Sequence, residues 1–63
     1  MNSVIVLRIK TLQLERDEMV SYLKMKISQG DWHAVADAAM DLREIEARVI
    51  ELRKVLEGIN SNE

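Results

Sequence analysis

Cysteine and proline are both absent from the 63 residues, glycine occurs twice and histidine once. Each absence removes a class of protein. Without cysteine there is no disulfide frame and no thiolate metal site. One histidine cannot build a multi-histidine site within one chain. With no proline, and glycine only at Gly30 and Gly58, long helices can run without interruption. Aromatics are limited to Trp32 and Tyr22. Apart from these two, the apolar 48% of the chain is Leu, Ile, Val, Ala and Met, residues that pack between helices. No apolar run approaches the ~18 residues of a membrane span. Val4-Ile5-Val6-Leu7 is too short for the core of a signal peptide, so the expected location is the cytoplasm. A basic excess is also missing: the net charge of −2 argues against a general nucleic-acid binder.

What is present is periodicity. A chain this short hides only ~60% of the surface its unfolded form exposes and is marginal alone. With disulfides excluded, self-association is the remedy the composition leaves. Gly30-Asp31 is the strongest punctuation between two apolar ladders. The first helix is expected over about 3–29 and the second over about 32–57, with the turn at 30–31. Asn2 or Ser3 is expected to cap the first helix, and Asp31 the second. Gly30 suits the left-handed position that ends the first helix, and Gly58 is expected to end the second, leaving 60–63 as a frayed tail.

The seam of the second helix reads Val35, Ala38, Leu42, Ile45, Val49, Leu52, Leu56, Ile59, alternating steps of three and four. That spacing predicts coiled-coil-like packing. The first helix carries Ile5, Ile9, Leu12, Met19, Leu23 and Ile27 on one face, with Val20 alongside and Arg16 inside the stripe. Arg16 is expected to pack its stem and reach an acid with its head. A second cluster, Val4, Leu7, Leu14, Tyr22 and Met25, falls on nearly the opposite side, and Ile50 joins a weaker second face on the second helix. A helix that is apolar on two sides touches more than one neighbour. The expected fold is an all-α, two-helix antiparallel hairpin that oligomerises into a four-helix bundle, with Leu7, Leu14 and Ile50 in the oligomer interface.

Chemistry-bearing residues are few. Trp32 and His33 open the second helix beside the turn. Trp32 reads as a plug for the open end of a bundle, or as an aromatic anchor that would bind a partner together with His33, Tyr22 and Met25, or as a stacking platform for a base. His33 and Asp37 stand four apart, a two-ligand arrangement that reads more simply as a solvated pair. Glu15-Arg16-Asp17-Glu18 and Asp41-Leu42-Arg43-Glu44 hold carboxylates three apart, the spacing with which helical metal-dependent hydrolases hold Mg²⁺. Both motifs lie off the seams, however, and read as solvated charge with pairs such as Glu44 and Arg48. Arg8, Lys10, Arg53 and Lys54 should meet at the end opposite the turn, where they could bind a phosphate of RNA or of a nucleotide. No phosphate loop, nucleophile set, cofactor site or metal site is indicated.

The stretch Gly30-Asp31-Trp32-His33-Ala34-Val35-Ala36-Asp37-Ala38-Ala39, continuing into Asp41-Leu42-Arg43-Glu44-Ile45-Glu46-Ala47, resembles a segment in small proteins of bacteriophages and prophages. The resemblance implies a bacterial or phage setting, in which such proteins commonly bind and redirect a host factor, defence systems included. In architecture alone the chain is similar to the plasmid copy-number regulators built as dimers of helical hairpins, which bind paired RNA loops. The expected function is a non-enzymatic, homo-oligomeric interaction protein, phage-encoded, acting on a host protein in the bacterial cytoplasm. The alternative is a hairpin dimer that binds nucleic acid or nucleotide.

Overall fold

The computed structural model describes residues 2–61, the side chains of 60 and 61 excepted. It contains two helices, α1 (Asn2–Gln29) and α2 (Trp32–Ser61), laid against each other as a hairpin. Among the described residues no other regular element occurs.

The turn follows from two residues. Gly30 has φ of +69°, the left-handed region in which a side chain is strained. Its N–H donates to the carbonyl of Ile27 at 3.0 Å, and the Asp31 N–H donates to the carbonyl of Lys26 at 3.0 Å. These two bonds form a Schellman motif and satisfy carbonyls that the end of α1 leaves open. Asp31 then serves α2: its Oδ1 accepts from the Ala34 N–H at 3.2 Å, as an N-cap side chain does. A Schellman motif usually closes with an apolar contact between the residues that here are Lys26 and Asp31. In this chain an ion pair of 3.8 Å takes that place.

The seam of α2 is as the spacing predicts: Ala38 and Val49 are buried, and Val35, Leu42, Ile45, Leu52, Leu56 and Ile59 are half-buried. On α1 the inward positions are Ile5, Ile9, Leu12, Arg16, Met19, Leu23 and Lys26, steps of four and three throughout. Ile27, expected in this stripe, is 45% exposed. The strict heptad reaches Lys26 instead, whose stem packs inward while its ammonium pairs with Asp31. Arg16 behaves as expected, with its guanidinium 3.4 Å from Glu46 on α2 and 3.3 Å from Asp17. Both cations in the seam thus meet an acid beyond it.

Two helix ends depart from expectation. Because α1 begins at Asn2, Ser3 sits inside the first turn and not ahead of it. Gly58 does not end α2; the helix runs on through 59–61. A glycine stops a helix when it turns left-handed, and among the described residues only Gly30 does so. Ile59 continues the seam beyond Gly58 and is half-buried, and that packing favours a helical Gly58. The helical residues 60 and 61 correct the expected frayed tail, and 62–63 lie outside the described residues.

The centre of the core is Ile9, Leu12 and Val49, with Ile5, Ile45 and Leu52 packed against it. The hairpin measures 50 × 15 × 10 Å, with a radius of gyration of 14.8 Å. A globular chain of this length would have a radius of about 11 Å. The molecule is therefore a slab one helix thick, with two broad faces and two edges.

Candidate functional site: an acid-lined groove beside the turn

Glu15, Glu18 and Tyr22 each precede an inward residue of α1, and Asp41, Glu44 and Arg48 each precede an inward residue of α2. A step of one residue turns about 100° around a helix. Both sets consequently come out on the same broad face. Together with Met19 and Ile45 they line an open groove of 460 Å³. It continues toward the turn into a second hollow that shares Met19, Tyr22 and Asp41 and adds Asp31, His33, Ala34, Asp37 and Ala38. The floor is apolar and the rim is largely carboxylate, with Arg48 the cation of the central part.

The sequence places the two acidic motifs on solvated faces and gives no sign that they meet. Register is the signal that finds them. Arg16 and Glu46 lie at equal sequence distance from Asp31 and pair across the hairpin; Glu18 and Glu44 are likewise equidistant and face one groove. The expected pair of Glu44 with Arg48 is not formed. Among the described residues no group of three or more His, Asp or Glu side chains is placed to hold a metal ion. Arg16, whose guanidinium leaves the seam on the side away from the groove, has its pKa raised by its hydrogen bond to Asp17, then by the one to Glu46.

The four aromatic and soft residues near the turn do not form one site. Tyr22 and His33 share the groove. The Lys26 ammonium sits 5.5 Å from the Tyr22 ring centroid, which orients the ring by a cation–π contact. His33 Nε2 is 3.5 Å from the Asp37 carboxylate, and both side chains are largely in solvent. Met25 is exposed and lines neither hollow. Trp32 is 67% exposed and plugs nothing in the single hairpin. At the other end, Arg8, Lys10, Arg53 and Lys54 are all exposed. Arg8 and Lys10, two residues apart, fall on opposite sides of α1, so these cations ring the end without converging on one face. Leu7 and Leu14 are each 65% exposed on the outer edge of α1, while Ile50, 49% exposed, lies on the flank of α2 away from the groove. A single flat contact does not collect all three.

No protein-family model, curated protein or solved structure matches the chain. Among the described residues no helix is long and apolar enough to cross a membrane.

Proposed function

We propose that this chain is a non-enzymatic interaction protein that associates with itself and occupies a second protein. The observation that carries the reading is the imbalance of apolar surface. Among the described residues only Ile9, Leu12, Ala38 and Val49 are buried hydrophobics, while large ones such as Val4, Leu7, Leu14, Trp32, Met40 and Val55 are more than half exposed. Exposed apolar surface on this scale marks a contact site for another macromolecule. The groove offers the second protein a surface of definite chemistry. Its Met19 and Ile45 floor and carboxylate rim suit a segment that is apolar on one side and basic on the other. The resemblance to small phage proteins extends the proposal to a phage-encoded factor acting on a host protein in the bacterial cytoplasm.

Native mass spectrometry of the purified protein tests the first half. A mass that is a multiple of the 7.3 kDa chain supports self-association, and a bare monomer at micromolar concentration removes it. For the second half, Glu18→Lys with Glu44→Lys should abolish capture of a bacterial partner that the unaltered chain retains. Capture unchanged by the double charge reversal would move the contact off the groove.

A further inference from the structure

We infer that the face opposite the groove is the homodimer interface, covered by a second copy of this chain and leaving the groove open. The inference rests on the self-association proposed above and specifies which surface serves it.

Three observations carry it. The first is area. A folded chain of this mass exposes about 4,200 Å². The hairpin exposes 4866 Å². The excess, on the order of 700 Å², is close to the ~800 Å² each partner contributes to a stable interface. A broad face of 50 × 15 Å has that extent, whereas an edge is only 10 Å across.

The second observation is the placement of apolar residues. Val6, Val20 and Ile27 each follow an inward residue of α1, and Ala39 and Ile50 each follow one on α2. They lie on the side of the seam away from Glu15, Glu18, Asp41 and Glu44. Val6 is 37%, Ile27 45% and Ile50 49% exposed. Val20 is half-buried and Ala39 exposed, so apolar side chains recur from one end of this face to the other, between the charged positions Lys10, Asp17, Lys24, Arg43, Glu46 and Arg53.

Charge supplies the third. A two-fold interface sets a surface against its own copy, so it must tolerate its own charges. The groove face fails this condition: four carboxylates and one arginine line its centre, and a copy would bring like charges together. On the opposite face the central acids Asp17 and Glu46 are both matched by Arg16, which leaves Arg43 as the one further central cation. Towards the rims Lys10, Lys24 and Arg53 interleave with Glu57. The group of Arg16, Asp17 and Glu46 at the middle of the face, flanked by Val20, Ala39 and Ile50, also fixes register, because sliding the copies would bury it against these apolar neighbours.

The test is solution mass, with far-UV circular dichroism as the check on folding. The unaltered chain should be a dimer of twice 7.3 kDa. Ala39→Glu and Ile50→Lys, at positions exposed in the single hairpin, should each halve the mass with helix content kept. Leu14→Glu, on the outer edge of α1, should leave the dimer intact. Because the chain has no cysteine, Ala39→Cys and Leu14→Cys place a single thiol on either surface. Maleimide should label the thiol at position 14 at least tenfold faster than the one at position 39. A dimer that survives both Ala39→Glu and Ile50→Lys, or is split by Leu14→Glu, overturns this inference and leaves self-association standing. A monomeric unaltered chain removes both. A mass that climbs with concentration without reaching a plateau means that groove face stacks on opposite face, and also overturns it.

Discussion

At the residue scale, the two glycines have opposite roles. Gly30 holds a left-handed conformation that an L side chain enters at a penalty of roughly 1–2 kcal/mol. Gly30→Ala should therefore lower the thermal midpoint by several degrees, although the added methyl would meet nothing within 4 Å. Gly58 is helical, and a methyl there would also meet nothing within 4 Å. Gly58→Ala should raise stability by about 0.5–1 kcal/mol, since glycine in a helix interior loses more backbone entropy than alanine. Thermal denaturation at one fixed protein concentration measures both. A stabilising Gly30→Ala would show that the turn is not left-handed, and a destabilising Gly58→Ala would place the end of α2 where the sequence alone puts it. Asp31 has two roles as well. Asp31→Ala removes the cap of α2 and the partner of Lys26, and should cost about 1 kcal/mol, mostly through the cap.

The helices themselves were legible in the sequence to different degrees. The seam of α2 could be read residue by residue because every position in it is apolar and the spacing never breaks. The seam of α1 contains two cations: Arg16 stands between apolar neighbours and reads as part of the stripe, whereas Lys26 stands at its end, where an apolar count passes over it and runs on to Ile27. Gly58 misled because glycine marks a helix end only when the backbone turns left-handed, and sequence does not carry the dihedral angle. The groove was illegible for another reason. Its acids come from two helices, and only the register set by the Gly30-Asp31 turn brings Glu18 level with Glu44. The helix-scale prediction follows from the seams. Leu42→Asp or Ile45→Asp places a carboxylate between the apolar faces of the two helices. Either variant should lose most of its helical circular dichroism at room temperature. Retained ellipticity would mean that the helices do not depend on each other.

For the whole molecule, the slab shape decides the stability. Among the described residues four buried hydrophobics are a small core for two helices of 28 and 30 residues. A fold that gains from a second copy is stabilised by mass action, so its melting temperature should rise with protein concentration. A midpoint that stays constant over a hundredfold dilution range would show that the single hairpin suffices. Repulsion across the groove gives a second whole-molecule expectation. Glu18→Lys sets a cation level with Glu44 and should stabilise by a few tenths of a kcal/mol at low ionic strength, a gain that added salt screens away. Equal stability in low and high salt would mean that solvent already separates these acids.

The positions of the two strongest constraints also set how the hairpin opens. The chain is held at one end by the covalent turn with its cap and ion pair. Toward the other end it is held by the cluster of Ile9, Leu12 and Val49. Between these two fixed points lies the stretch where the acids gather and where Met19 and Ile45 are only half-buried. A rod pinned near both ends yields in its middle. Amide hydrogens of the central turns, around Glu18 and Glu44, should exchange with solvent sooner than those near Leu12 and Val49, so that the groove widens without either end letting go.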